Sequence, residues 1–453
     1  MAERLQTLAG GQRNPWLRAP ALVSSGFLAA IVLGTLLLGM PGAVAEEHPP
    51  LSLVQALFTA TSAVCVTGLT VVETGTELSG FGQAVVLVLI QLGGLGVMTL
   101  AFLVFGRLRS RMQKEAGEVL ESSWGQAVWG GSPARTLRLV LGGTLLLETL
   151  GAAALWIALR EEDGAFGKAV FLSISAFCNA GFDTLGGALG GRYSGDWAVG
   201  LPLLLLWLLG GLGFLLPAAL EARRRRGGRL ALTARMILIA SAVLVPAGAL
   251  LFWLCERDGL LAGRRPSETL LLALFQGNTP RTAGFSMVDL AAASRLTLLT
   301  LVPLMLVGGS PGSTAGGMKT VTVWVFLATI WTRMQGKDDV VILRSTIPAE
   351  IVRRAYLICV LMILLLALTS WSLAALVPPE QASLEQLVFE AASALGTVGL
   401  GTGLTPELGA APLLVLVCAM LLGRLGPLTA AYALFSRPTG PHIYHPQSEV
   451  YVG

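Results

Sequence analysis

Residues 51–69 read LSLVQALFTATSAVCVTGL, an apolar stretch of about 14 residues that runs straight into the small-residue turn Val66-Thr67-Gly68-Leu69. A helix that long cannot cross a bilayer, which takes about 20 apolar residues, and suits a segment that enters the membrane and turns back. The pattern recurs. Apolar segments at 166–178, 267–277 and 384–395 lead into Asn179-Ala180-Gly181-Phe182, Thr282-Ala283-Gly284-Phe285 and Thr397-Val398-Gly399-Leu400. The turn glycines lie 113, 103 and 115 residues apart. A second glycine cluster follows each turn after 24 to 29 residues: Gly93-Gly94-Leu95-Gly96, Gly210-Gly211-Leu212-Gly213, Gly308-Gly309 and Gly423-Arg424-Leu425-Gly426. Four matches in register predict an internal repeat of helix, short re-entrant helix, turn and helix.

Longer apolar stretches flank these segments, at 21–40, 81–105, 137–159, 197–220, 233–254, 295–331 with an interruption, 354–377 and 410–435. The 453 residues are 54% hydrophobic and 13% charged, about half the charged share of a soluble protein, which excludes an ordinary soluble enzyme. The 55 glycines show no Gly-X-Y period. Ala21 to Met40 is long enough to stay as a first helix instead of being removed as a signal peptide. The predicted fold is an all-α polytopic membrane protein with four pseudo-repeats around one central pore. Its divisions are a tail at 1–20, repeats at 21–106, 107–221, 222–335 and 336–435, and a tail at 436–453.

Charge sets the orientation. The tails and the loops 106–138, 221–235 and 332–354 hold 21 of the 31 Lys and Arg, which predicts cytoplasmic termini, with the four turns entering from outside. Acidic residues gather on the other side. One follows each turn within eight positions, Glu73, Asp183, Asp289 and Glu407, and together they suit a ring that concentrates cations at a pore mouth. The basic residues form no patch with interleaved aromatics, so nucleic acid is not an expected partner. Cys65, Cys178, Cys255, Cys359 and Cys418 form no C-x-x-C pair and signal neither zinc nor disulfides. His48, His442 and His445 lie in polar, Pro-rich surroundings and read as solvated.

Irregular backbone at membrane depth leaves carbonyls without helical partners, which is tolerated where protein or a water-filled path satisfies them. Four turns around one axis make a ring of carbonyls, and such rings replace the hydration shell of K+. Glycine at the third turn position lets successive carbonyls face inward. The predicted filter is Val66, Thr67 and Gly68; Asn179, Ala180 and Gly181; Thr282, Ala283 and Gly284; Thr397, Val398 and Gly399, with K+ at the four glycines. Each preceding helix points its negative end at the ion. No enzyme is expected. Gly312 to Thr320 looks like a phosphate loop, but Met318 stands where Lys is needed and no strand precedes it. An intramembrane hydrolase lacks its nucleophile and base. The residues leave open whether Glu148, inside the third span, is functional or a protonated packing residue.

The turns VTGL, NAGF, TAGF and TVGL, with the segments SAVCVTGLTVVET, NTPRTAGF and GGSPGSTAGGMKT, resemble the Ktr/Trk/HKT superfamily of potassium transporters over residues 20 to 435. The chain is most similar to the KtrB branch, because its first repeat starts within 20 residues of Met1. Glycine in all four turns implies K+ selectivity. Gly308 to Gly317 cannot hold a continuous helix. By the resemblance this break is an intramembrane gating loop at 308–318, formed by Gly308, Gly309, Ser310, Gly312, Ser313, Thr314, Gly316 and Gly317. Lys319 lies just beyond it, and Arg424, in the middle of the last span, donates to its carbonyls when closed. Glu390 and Arg281 are expected to brace the filter, and Asn179 and Asn278 to hydrogen-bond the turns. The resemblance further implies a homodimer in the plasma membrane lipid bilayer, on a cytoplasmic KtrA-like ring of RCK-type proteins that bind ATP or ADP, with no cofactor in this chain. A proton- or sodium-coupled symporter of the Trk type, with Na+ as coupling or activating ion, is the alternative.

Overall fold

Serine caps start the two most deeply buried helices. Ser52 and Gln55, and Ser383 and Gln386, each exchange side-chain and backbone hydrogen bonds in a capping box. The computed structural model describes residues 15–96, 133–213, 215–226 and 230–426. Its helices are α1 (Pro15–Leu38), α2 (Leu53–Cys65), α3 (Gly80–Leu95), α4 (Pro133–Ala158), α5 (Ala165–Phe177), α6 (Trp197–Leu212), α7 (Leu215–Arg226) and α8 (Leu232–Glu256). They continue with α9 (Pro266–Asn278), α10 (Arg295–Leu306), α11 (Thr320–Met334), α12 (Ala349–Leu376), α13 (Leu384–Gly396) and α14 (Ala410–Leu425). A single hairpin, β1 (Val341–Ile342) with β2 (Ser345–Thr346), is the only sheet among the described residues.

The short helices α2, α5, α9 and α13 form the inside. Phe58, Phe177, Phe275 and Phe389, one from each, are fully or almost fully buried. Each is packed by a helix of the preceding segment: α3 against α5, α6 against α9, α10 against α13, and α14 back against α2. These contacts close a circle. Outside it, Leu145, Leu150 and Ile157 of α4, Val243 and Leu250 of α8, and Leu364, Leu368 and Trp371 of α12 are exposed. So much outward apolar surface is stable only against hydrocarbon. Segments of α4, α8 and α12 (Val140–Ala158, Leu232–Glu256 and Ala349–Leu376) are long and apolar enough to cross a membrane.

Several helices end inside their apolar stretches. The stretches 81–105, 197–220 and 410–435 break after Leu95, Leu212 and Leu425, where Gly96, Gly213 and Gly426 take φ of +77°, +81° and +83°. A left-handed residue cannot continue a right-handed helix. The 16-residue helices that result are about 24 Å long at 1.5 Å per residue. Arg424 accordingly sits in the last turn of α14. The tails expected at 1–20 and 436–453 lie outside the described residues, apart from the first turns of α1.

Candidate functional site

A left-handed residue follows each short helix, as the cap itself in α2 and α13 and one to three residues beyond the cap in α5 and α9: Val66 (φ 56°), Asn179 (60°), Thr282 (68°) and Thr397 (50°). Two positions on comes the turn glycine, also left-handed: Gly68 (φ 94°), Gly181 (70°), Gly284 (79°) and Gly399 (93°). Glycine accepts this conformation freely, whereas a side chain costs about 1–2 kcal/mol per residue. The four turns meet. A β-carbon on Gly68 would strike Ala180 O, one on Gly284 would strike Val398 O, and one on Gly399 would strike Thr67 O. On Gly181 it would lie 2.8 Å from the Cα of Gly284 and 3.0 Å from Ala283 O. The carbonyl of each middle residue (Thr67, Ala180, Ala283 and Val398) therefore lies against the glycine of the turn before it, in a closed ring. The hydroxyls of Thr67, Thr282 and Thr397 are buried around it with no hydrogen-bond partner among the described residues.

Hydroxyls behind the ring hold its shape. Ser62 Oγ accepts from Gly68 N–H and Ser393 Oγ from Gly399 N–H, both at 3.1 Å, while Ser175 Oγ donates to Phe182 O at 2.8 Å and Thr279 Oγ1 to Phe285 O at 2.6 Å. Sequence reading missed these residues. A signal was present, because Ser62, Ser175 and Ser393 each stand six residues before their turn glycine. The second glycine clusters have a separate role. Side chains on Gly93, Gly210 and Gly423 would collide with Val64 O, Phe177 O and Leu395 O, so these glycines let α3, α6 and α14 cross directly over the carbonyl ends of α2, α5 and α13.

Residues 307–319 form a loop between α10 and α11. Its neck is closed by Gly308 N–H donating to Met318 O (2.9 Å) and Met318 N–H to Leu306 O (3.1 Å). Ser310 N–H donates to Gly211 O at 2.9 Å. Gly316 packs so closely on Thr397 that a β-carbon there would overlap its hydroxyl, and Gly213 packs against Pro311 and Gly312. Thr314 Oγ1 donates to Phe177 O at 3.2 Å. The Asn179 amide is best oriented with its nitrogen toward Thr314 Oγ1 (3.0 Å), where it also donates to Trp207 O and Phe177 O; the reverse orientation leaves its oxygen facing only acceptors. Arg424 bridges the loop to α3, with Nη1 donating to Thr314 O at 2.6 Å and Nη2 to Gly93 O at 2.5 Å. Lys319 Nζ folds back onto Ala315 O at 2.7 Å. The loop thus touches the ends of α5, α6 and α14 and the fourth turn.

Other candidates fall in different places. Glu148 is buried and accepts from Gln91 Nε2 at 3.1 and 3.3 Å, with the Cys178 thiol 3.9 Å away. That places its carboxyl directly behind the second turn. Glu390, fully buried in α13, accepts from Thr402 N–H (2.8 Å), Thr402 Oγ1 (3.2 Å) and Thr405 Oγ1 (2.7 Å). It ties the chain after the fourth turn to the helix before it. Glu390→Leu strands these three donors, and a loss of at least about 3 kcal/mol is expected, at about 1–3 kcal/mol per unsatisfied buried group. Urea unfolding in detergent measures it, and an unchanged midpoint would show that the donors are satisfied elsewhere.

The Asn278 side chain does not hydrogen-bond its turn. Its Nδ2 donates to Val245 O (3.0 Å) and Leu274 O (2.8 Å), because Gly248 and Gly277 bring α8 and α9 into backbone contact. Arg281 Nε is buried without an acceptor among the described residues, so no bracing contact is seen. Of the four acids, Glu73 accepts from Gly187 N–H (3.4 Å), and Gly75 lies against Thr184 O, which joins the chain after turns one and two. Asp183 accepts from Leu185 N–H (2.5 Å), and Asp289 caps Leu290–Ala292 through Ala291 N–H (2.9 Å). Both carboxylates are thus already engaged by their own loops.

Comparison with known proteins assigns the arrangement. The profile of the TrkH family, described as cation transport protein, matches residues 21–438. The chain is 35% identical to the Ktr system potassium uptake protein B of Bacillus subtilis, across 97% of this chain and 98% of that protein. It is 34% identical to the protein of the same description from Vibrio alginolyticus (96% and 95%) and 32% identical to the potassium/sodium uptake protein NtpJ of Enterococcus hirae (91% and 92%). The crystal structure of the potassium transporter TrkH from Vibrio parahaemolyticus shares the fold, with a TM-score of 0.68 at 22% identity over 91% of this chain and 85% of that one. Four turns closed on themselves in an outwardly apolar helical shell, with relatives matched end to end, make this chain a multi-pass membrane protein that belongs to the TrkH family of cation transport proteins, as a subunit of the Ktr type.

Proposed function

We propose that this chain is the K+-translocating subunit of a Ktr-type uptake system and conducts K+ in a channel-like manner through the four turns. The observation that carries this reading is the closed ring in which Thr67 O, Ala180 O, Ala283 O and Val398 O each lie against the glycine of the preceding turn. Such oxygens replace an ion's water without charge, which suits a large, weakly hydrated monovalent cation. The names of the relatives from Bacillus subtilis and Vibrio alginolyticus support K+ as cargo. The loop at 308–318, with Lys319 and Arg424, is the gate. On this reading the repeats lie at 21–106, 107–221, 222–335 and 336–435, both termini are cytoplasmic, and the chain sits in the plasma membrane. It works as a homodimer on a cytoplasmic RCK-type ring that binds ATP or ADP.

Coupled symport is the second reading, because the buried Glu148 lies behind the second turn and the Enterococcus hirae relative is named for both ions. Uptake of K+ and Na+ into liposomes holding the purified protein, with and without a pH gradient, separates the two. The channel-like reading expects K+ uptake to follow the K+ gradient and ignore the pH gradient. Uptake driven by the pH gradient, or abolished without Na+, would establish coupling instead.

A further inference from the structure

The helix α7, the start of α8 and the β1–β2 hairpin border an open cavity of about 810 Å3. Three arginines line it, Arg223, Arg235 and Arg344, together with Ser345, against an apolar lip of Leu230, Leu232 and Leu343. Among the described residues no carboxylate lines it. None of the three guanidinium groups is paired with an acid among the described residues. The hairpin is held in an unusual shape: Leu343 and Arg344, the two central residues of its turn, take φ of 50° and 68°, where Gly, Asn or Asp is the ordinary choice. Val340 and Ile342 are buried in a cluster with Met236 of α8 and Val325 of α11, and Leu343 packs against it. That anchoring fixes Arg344 at the rim of the cavity, across from the first turn of α8.

The level in the fold suggests the ligand. Arg235 lies in the first turn of α8, which is long and apolar enough to cross a membrane, so the cavity opens at the boundary between hydrocarbon and water. Guanidinium forks match the oxygens of a phosphate group. The leucine lip adds an apolar contact that a free ion does not use. Cations collected near a membrane surface serve topology in general, but a hollow lined by three of them with no acid among the described residues, at headgroup depth, is built for one anionic group. We propose that this cavity binds the phosphate-bearing headgroup of an anionic membrane lipid. A soluble phosphate offers the same oxygens without the glycerol and acyl part that the leucines would cover.

Native mass spectrometry of the full-length protein tests this, with phosphatidylglycerol and phosphatidylcholine titrated into detergent, and inorganic phosphate and AMP as further arms. Wild type is expected to hold one phosphatidylglycerol at least tenfold more tightly than phosphatidylcholine, and the triple variant R223Q/R235Q/R344Q is expected to lose that preference. R353Q/R354Q, which removes basic residues elsewhere, should keep it. Arg344→Gly separates binding from folding. Glycine accepts the left-handed turn, so this variant is expected to melt no lower than wild type and yet bind the headgroup severalfold more weakly. Undiminished preference in the triple variant, or an equal loss in R353Q/R354Q, overturns the site. Saturable binding of phosphate or AMP with no preference for phosphatidylglycerol overturns the lipid assignment.

Discussion

Gly399→Ser is expected to abolish K+-selective uptake while the protein still assembles in the membrane. Gly399 has a φ of 93°, a region that a serine enters only at a cost of about 1–2 kcal/mol. The steric effect is larger. The new β-carbon would overlap Thr67 O and stand 2.9 Å from the Cα of Gly68, both backbone atoms of the adjoining turn that no rotamer change removes. The ring must open by a sizeable fraction of an ångström, and carbonyls displaced that far no longer match a dehydrated K+ ion. Misplacement on the order of 1 Å costs about a hundredfold where function depends on fixed geometry, and a comparable fall in K+ uptake is expected. The K+/Na+ ratio should collapse with it. Gly409→Ser is the control, since a β-carbon at Gly409 meets nothing within 4 Å. Liposome uptake of both ions reads the result, and an unchanged K+/Na+ ratio in Gly399→Ser would remove the fourth turn from the proposed filter.

The second large effect concerns Arg424. Its guanidinium carries a charge-assisted hydrogen bond to Thr314 O at 2.6 Å in the loop and another to Gly93 O at 2.5 Å in α3. Bonds of that kind contribute about 1.5–3 kcal/mol each. If the loop exchanges between this arrangement and an open one, losing the Thr314 bond shifts the balance by about 10- to 150-fold toward the open form, at tenfold per 1.4 kcal/mol. Arg424→Gln is therefore expected to raise K+ flux at least tenfold in liposomes that contain this subunit alone. Arg424→Lys should give an intermediate result, because an ammonium is a point donor that does not reproduce the two-pronged reach of the guanidinium. Thermal melting of both variants checks that the fold is kept. Flux equal to wild type in both would make residues 307–319 a static kink held in place by packing.

The parts of the site that were legible in the sequence are those with a local cause. A short apolar helix followed by an obligatory left-handed glycine leaves a mark at one place in the chain, and four such marks in register are readable without coordinates. The break at Gly308–Gly317 is legible for the same reason, since glycine density and Pro311 act within one or two turns of helix. The ends of the spans were not legible. A glycine in an apolar run reads equally as a close-packing residue or a terminator, and here Gly93 packs on Val64 O while Gly96 ends α3 three residues later. The position of Asn278 beside the turn in sequence predicts a hydrogen bond to that turn. Its amide went instead to Val245 O in α8, a neighbour created by the Gly248 and Gly277 contact and invisible in any local pattern.

The sequence alone determined that the chain lives in a bilayer, how many turns it carries and which glycines sit in them, because burial of apolar surface and backbone conformation are set by composition and nearest neighbours. Only the tertiary structure decided what those turns face. The ring closes through Thr67 O against Gly399, and Arg424 bonds Thr314 and Gly93, 110 and 331 residues away. Contacts of that separation are chosen by which helix packs on which, α14 against α2 included, and a backbone carbonyl has no residue type by which a sequence could name it.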